Sequence, residues 1–276
     1  MNASAKSTTL IEVDLLIRAI YEKYGFDFSN YSKASFTRRI KNFVELNKIS
    51  SIGELIHQVI NDENLFHKLV EAISVTVTEM FRDPQVYVDI KEKIIPYLRT
   101  FPTLNIWHAG CATGQEVYSL AILLHEENLL DKVQIYATDI NKNSLEIAKA
   151  GIYSNEDIKR SISNYLSFHG KNSFSDYYRT RYDNSIFAKY LKENITFLEH
   201  NLTTDEDFNQ MHLVLCRNVL IYFNTELQKR VIKLFSKSLI KNGFLCLGLK
   251  ESLMLLDTEN EFTAISQQNK IFQKIK

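Results

Sequence analysis

The chain has 276 residues, 45% of them hydrophobic, and its 33 basic and 33 acidic residues cancel to a formal net charge of zero at pH 7. This length and apolar content suit one large globular domain or two smaller ones. The balanced charge excludes a whole-chain electrostatic attraction to nucleic acid or to anionic membrane, so any such affinity would need a local patch.

The chain is predicted to be cytoplasmic and to hold no metal. No apolar run approaches the roughly 18 residues of a membrane span, and the polar start MNASAKSTTL lacks the basic-then-apolar order of a signal peptide. Cys111, Cys216 and Cys246 are an odd number without a CxxC pair, which indicates buried thiols rather than a disulfide framework or a zinc site.

Residues 1 to 85 are predicted to form an all-helical N-terminal domain. Apolar positions recur at steps of three and four, and in the first segment Ser7 or Thr8 can cap the helix and Gly25 can end it. A second segment, from Lys33 to Lys48, keeps its apolar residues on one side and contains a single acid. We therefore expect it to present positive charge.

Residues 86 to 276 change to short apolar runs that alternate with helical segments. This alternation predicts a Rossmann-like α/β domain, in which helices cover both faces of a parallel sheet. The expected strands are LNIWHAG, VQIYATD, NITFLEH, LVLCRN, GFLCLGL and KIFQKI, of which the last two could form an antiparallel edge. Residues from about 160 to 193 are rich in Tyr, Ser and Asn and interrupt the alternation, so we interpret them as a small inserted β-subdomain.

The first strand leads through Gly110 and Gly114 into a helix with Glu116 in its first turn. Ligands of doubly wound sheets bind beyond the carboxyl ends of the strands, where glycine lets the backbone approach them. Glu116 would repel a diphosphate at this helix N-terminus but suits a ligand with an amino group or hydroxyls. This disfavours a nicotinamide dinucleotide.

The second strand ends at Asp139, where an acid can hold the two hydroxyls of a ribose. The alternative is that Asp139 caps the following helix, although Asn141 or Asn143 can serve as that cap. A glycine loop, an acid on the first helix and an acid that ends the second strand together describe a site for S-adenosylmethionine (SAM).

Three separated motifs extend this interpretation to nearly the whole chain. They are TVTEMFRD (residues 76–83), WHAGCATGQEVYSLA (107–121) and LCRNVLIYF (215–223), and ATDIN followed by AKAGIY adds to them. In order and spacing the motifs resemble the CheR family of chemotaxis receptor methyltransferases. The resemblance implies a helical N-terminal domain joined to a SAM-dependent methyltransferase domain with an inserted β-subdomain. It also implies methylation of glutamate side chains on the cytoplasmic helices of chemoreceptors, with S-adenosylhomocysteine (SAH) as the second product.

The resemblance further implies a set of cofactor contacts. By motif they are Thr76, Thr78, Arg82, Glu116, Asp139, Asn201, Leu202, Arg217 and Asn218, to which the glycine loop adds Gly110 and Gly114. The chain departs from the family in three places: Thr76 stands where Asn is common, Gln-Glu-Val at 115–117 replaces acid-acid-Pro, and GLKES at 248–252 replaces a GHSE-like turn. We assign no role to GLKES.

Methyl transfer from a sulfonium to a carboxylate needs little acid or base help, because a glutamate with a pKa of about 4.3 is already ionised at neutral pH. The expected catalytic residues therefore position the reactants. Arg82 fits as an orienting group for a carboxylate, with a salt bridge to Asp83 or to an acid of the second domain as the alternative. Tyr222 would lie near the transferred methyl, or else be an aromatic core residue. His108 is expected to be packed and hydrogen-bonded rather than a base.

The basic segment offers Lys33, Arg38, Arg39 and Lys41 as a docking face for glutamate-rich receptor helices. The alternative is a solvated amphipathic helix, and its basic residues are too few for a nucleic-acid binder. We expect a monomer that reaches the membrane only through its receptor. Two other functions stay open: a non-catalytic SAM-binding signalling module, and a methyltransferase for a different carboxylate acceptor.

Overall fold

The computed structural model describes residues 7–74, 78–208, 210–254 and 261–276. The chain forms two compact units: a helical unit of residues up to 75 together with 222–228, and an α/β unit of the remainder. The helical unit ends ahead of residue 85, where the sequence pattern predicts its boundary. The reason is that Phe81 and Val86 are buried in the core of the α/β unit.

Helices build the helical unit, as the periodicity of apolar residues predicts. They are α1 (Thr8–Tyr24), α2 (Lys33–Leu46), α3 (Ile52–Asn61) and α4 (Glu63–Ile73). Gly25 ends α1 with a left-handed φ of 75°, and its N–H donates to the Tyr21 carbonyl. The apolar faces of the helices meet in a core that includes Leu16, Ile40 and Leu55.

The segment 222–228 also packs within the helical unit. The Ser32 N–H donates to the carbonyl oxygen of Tyr222 at 2.8 Å, and the rings of Tyr31 and Phe223 lie 5.1 Å apart. The chain thus returns to this unit late in the sequence, and residues just before α2 fix the backbone of Tyr222.

A mixed sheet of seven strands, counted over the described residues, lies at the centre of the α/β unit. From one edge to the other its strands are β6 (Ile195–Glu199), β2 (Val133–Asp139), β1 (Leu104–Ala109), β7 (Met211–Cys216), β8 (Leu239–Leu247), β10 (Ile271–Lys274) and β9 (Phe262–Ser266). Strands β6, β2, β1, β7 and β8 are parallel, and β10 is antiparallel to β8 and β9. The Rossmann-like prediction is confirmed, and β9 adds a strand that the sequence pattern did not indicate.

Helices alternate with these strands along the chain. They are α5 (Pro84–Asp89), α6 (Ile95–Leu98), α7 (Gln115–Glu126), α8 (Lys142–Ala150), α9 (Asn155–Phe168) and α10 (Thr225–Ser238). A π-helical turn, Ile90–Ile94, joins α5 to α6. Almost every side chain of α7 is buried, which places this helix in the core and brings its first turn to the carboxyl edge of β1. Of the helices described here, none has the length and apolar character to cross a bilayer.

The inserted subdomain is a three-stranded antiparallel sheet with α9 beside it. Its strands are β3 (Ile152–Ser154), β5 (Asn184–Phe187) and β4 (Tyr178–Arg181), in that spatial order. The hydroxyls of Tyr165 and Tyr177 both donate to Oε1 of Glu126, at 2.6 and 2.7 Å. A buried carboxylate at the end of α7 therefore anchors the insertion to the rest of the α/β unit.

Candidate functional site

The loop between β1 and α7 is shaped by its two glycines. Gly110 and Gly114 have φ angles of 72° and 89°, a region that favours glycine. A Cβ on Gly110 would lie 2.4 Å from Cγ2 of Val219, and one on Gly114 would lie 2.7 Å from Cβ of Ala148. The approach of a ligand is the reason that the sequence suggests for these glycines. The structure adds that protein side chains already approach them, so the loop is locked against its neighbours.

Asp139 ties the end of β2 to this loop. Its Oδ2 accepts the Ala112 N–H at 2.8 Å, and its Oδ1 accepts the Asn141 N–H at 2.9 Å. The helix cap belongs to Asn141, whose side chain accepts the Ser144 N–H at 3.1 Å. Burial raises the pKa of Asp139, and the backbone N–H groups oppose that rise. Each carboxylate oxygen keeps a lone pair that can accept a hydroxyl.

Asn201 and Leu202 follow β6 and lie beside the end of β2. The His200 N–H donates to the backbone carbonyl of Asp139 at 3.1 Å, which connects the two strand ends. Oδ1 of Asn201 accepts the N–H of Thr203 at 3.0 Å, and the side chain of Leu202 is buried. The structure therefore brings Asn201 and Leu202 to the same corner of the sheet as Asp139.

Arg217 joins residues of separate segments in one buried cluster. Its side chain is fully buried and forms ion pairs with Glu116 and with Asp83, the latter at 2.6 Å. Its Nη1 also donates to the Arg82 carbonyl at 3.1 Å, and the hydroxyl of Tyr87 donates to Oε1 of Glu116 at 3.3 Å. Burial raises the pKa of Glu116, and the positive charges of Arg217 and Arg82 oppose that rise. Three of the predicted cofactor contacts thus share one cluster.

The side chain of Arg82 is half-buried at this cluster. The carboxylate of Asp83 pairs with Arg217, and no salt bridge joins it to Arg82 among the described residues. The alternative role of Arg82 as the partner of Asp83 is therefore not seen. Thr78 is half-buried a few residues earlier, and the predicted contact at Thr76 lies outside the described residues.

Asn218 follows Arg217 at the carboxyl end of β7. Its φ of 61° is left-handed, a conformation that asparagine tolerates better than most residues. Its Oδ1 is buried and has no hydrogen-bond partner within the part of the chain that the structure describes. A buried amide oxygen without a partner is costly in a ligand-free protein, and a bound donor group would satisfy it.

Tyr222 and the predicted docking cations belong to the helical unit. The guanidinium carbon of Arg39 lies 5.3 Å from the centroid of the Tyr222 ring, and both residues line a small groove. Lys33 pairs with Asp14 at 3.1 Å, whereas Arg38 and Lys41 are exposed. The four cations therefore do not act alike: Arg39 packs on Tyr222, and the others face solvent.

Sequence comparisons agree with this architecture. Residues 76–271 match the family described as CheR methyltransferase, SAM binding domain, and residues 11–74 match the CheR methyltransferase, all-alpha domain. The chain is 44% identical over 271 residues to Cher3 of Pseudomonas putida strain KT2440, covering 98% of this chain and 99% of that one. It is 30% identical over 258 residues to the chemotaxis protein methyltransferase of Borreliella burgdorferi, covering 88% of each. The corresponding protein of Listeria monocytogenes is 28% identical over 241 residues, 86% of this chain and 88% of that one. This chain therefore belongs to the CheR methyltransferase family, and its α/β unit is the SAM-binding domain of that family.

Proposed function

We propose that this protein transfers a methyl group from SAM to glutamate side chains on the cytoplasmic helices of chemoreceptors, giving glutamate methyl esters and SAH. Family membership and the relatives named chemotaxis protein methyltransferase support the proposal. One structural observation carries its cofactor part: Glu116 and Asn218 follow β1 and β7, Asp139 ends β2, and the three side chains supply acceptor oxygens at one edge of the sheet.

These oxygens fit the donors of SAM, which carries an ammonium group and two ribose hydroxyls. Asp139 would accept from the ribose hydroxyls, and Glu116 with the buried amide oxygen of Asn218 would accept from nitrogen donors. Arg82 has a guanidinium that suits the cofactor carboxylate. The remaining proposed contacts are Thr76, Thr78, Gly110, Gly114, Asn201, Leu202 and Arg217. When bound, SAM supplies a methyl group on a positively charged sulfur.

The acceptor side requires positioning rather than a strong base. A receptor glutamate is ionised at neutral pH, and alignment of its oxygen with the methyl carbon can contribute roughly 7 to 11 kcal/mol in favourable cases. We propose that Arg82 and Tyr222 orient the reacting groups. The exposed cations Lys33, Arg38 and Lys41 of α2 would attract the acidic receptor helices, and the protein would act as a monomer.

The test is incubation with SAM labelled in its methyl group and membranes that contain receptors. We expect base-labile label on the receptors, because methyl esters hydrolyse in alkali, and we expect its loss when the methylated glutamates are changed to glutamine. Asp139→Asn should reduce both cofactor binding and labelling. Measurable SAM binding without receptor label would contradict the proposal and favour a non-catalytic signalling module. Label on an added small carboxylic acid in place of the receptor would favour another acceptor.

A further inference from the structure

The segment GLKES, which follows β8, contains a buried carboxylate that the sequence pattern left without a role. Glu251 is 4% exposed. Its Oε1 accepts the Leu220 N–H at 2.7 Å, and its Oε2 accepts the N–H groups of Gly248 at 2.6 Å and Asn218 at 3.2 Å. One side chain therefore connects the loop after β8 to the loop after β7.

These contacts explain how the protein tolerates a buried acid at this place. A buried carboxylate needs compensating donors, and no cation forms a salt bridge with Glu251 among the residues that the structure describes. Backbone N–H groups take the place of a cation, and hydrogen bonds to a charged acceptor are stronger than neutral ones. Burial raises the pKa of Glu251, and the backbone N–H groups of Gly248, Asn218 and Leu220 oppose that rise.

The backbone that Glu251 holds is the one that presents two proposed cofactor contacts. Asn218 has a φ of 61°, a left-handed conformation that asparagine tolerates better than most residues but that still favours glycine, so contacts that hold it matter. Gly248 completes the arrangement, because a Cβ there would lie 2.7 Å from the backbone nitrogen of Asn218 and 2.9 Å from Oε2 of Glu251. The close approach of the two loops thus depends on Gly248, and Glu251 holds the backbone nitrogen of Asn218.

We propose that Glu251 is a positioning residue of the cofactor site, which fixes the turn after β7 so that Arg217 and Asn218 face SAM. The proposal rests on the proposed function only for the assignment of those two residues to the cofactor, and it does not depend on the methyl acceptor. Glu251 itself does not touch the reacting atoms in this scheme.

Calorimetric titration of the full chain with SAH tests the proposal. In Glu251→Gln the amide NH2 would face backbone N–H groups, so we expect the Kd for SAH to rise about tenfold or more, as the loss of a charge-assisted hydrogen bond predicts. The matched control is Glu193→Gln, an exposed glutamate, which should leave the Kd unchanged. The titrations are run below the unfolding transition of each variant, as established by circular dichroism. A lowered transition with an unchanged Kd would assign Glu251 a purely structural role and overturn the proposal.

Two further variants separate positioning from other effects. Gly248→Ala keeps the carboxylate but displaces the Asn218 backbone, so it should weaken SAH binding as Glu251→Gln does; an unchanged Kd would count against the proposal.

In an Asn218→Ala background, Glu251→Gln should change the Kd for SAH by a smaller factor, because the side chain that Glu251 positions is absent. An equal effect in both backgrounds would refute action through Asn218. Failure of the proposed function would look different: the wild-type protein would bind SAH and leave receptors unlabelled.

Discussion

His108 lies in β1 with 1% of its surface exposed. It is packed, as the sequence indicates, but the predicted hydrogen bond is absent: neither ring nitrogen has a partner among the described residues. Burial, and next the positive charge of Arg217, lower the pKa of His108 to about 3. The imidazole is therefore neutral at physiological pH. Its proton affinity is too low for a general base near pH 7, and the proposed reaction needs none, because a glutamate acceptor is already ionised there.

The depressed pKa of His108 predicts a pH-dependent stability. Between the folded value of about 3 and the ordinary value of 6.5, the unfolded chain binds a proton at His108 that the folded chain does not. The free energy of unfolding should thus rise with pH in this window, by about 1.4 kcal/mol per pH unit from this residue. His108→Leu should remove that contribution. Urea denaturation followed by the fluorescence of Trp107, the one tryptophan of the chain, measures both slopes. Equal slopes for the two proteins would refute the prediction.

The buried cluster around Arg217 shows what a single sequence can and cannot predict. Motifs single out Glu116 and Arg217 separately, because each belongs to a recognisable segment. Their ion pair joins residues 101 positions apart and exists only because the end of β7 lies next to the first turn of α7. Glu251 received no role for a related reason: GLKES keeps the Gly and Glu of a GHSE-like turn, but its partners are backbone N–H groups, which the sequence does not reveal.

Secondary structure was predictable where apolar periodicity is strong and the boundary residue is distinctive. Gly25 ends α1 and the strand runs of β1, β2 and β7 lie where the pattern indicates. The run TELQKRVIKLFSKSLIK indicates a helix to Lys241, yet α10 ends at Ser238 and β8 begins at Leu239. The last apolar residues of the run suit a strand as well as a helix, so the sequence does not locate this boundary. Helix α9 was missed since Ser161 occupies one of its buried positions and weakens the apolar stripe.

Helix α2 distinguishes two adjacent arginines by their surroundings. Arg39 lies over the Tyr222 ring and its Nη1 is 3.5 Å from the carbonyl oxygen of Ala72, whereas Arg38 is exposed. We therefore expect Arg39→Gln to destabilise the helical unit by about 1 kcal/mol through loss of the cation–π contact. Arg38→Gln, the matched control, should change stability by less than about 0.5 kcal/mol. Hydrogen exchange of the amides in α2 measures the difference. Equal protection in the two variants would show that the contact contributes nothing.

For the whole molecule, the formal net charge of zero limits its affinity for membranes. The proposed receptor substrates lie in a membrane, and α2 offers a local positive face toward them. We expect no cosedimentation with phosphatidylglycerol vesicles at an ionic strength of about 0.15 M, because surface charges are screened there beyond about 8 Å. Vesicles that carry receptor cytoplasmic segments should retain the protein. Sedimentation with bare anionic vesicles would show a direct lipid affinity that this prediction excludes.

The carboxylate of Glu126 has a consequence for exchanging parts between relatives. The hydroxyls of Tyr165 and Tyr177 both reach it from the insertion, and Lys171 donates to its backbone carbonyl at 2.9 Å. A deletion of the insertion would remove both hydroxyl donors of this carboxylate. A chimera that swaps the insertion must therefore carry the matching residue of α7 with it. The segment to exchange therefore includes α7 as well as the inserted strands.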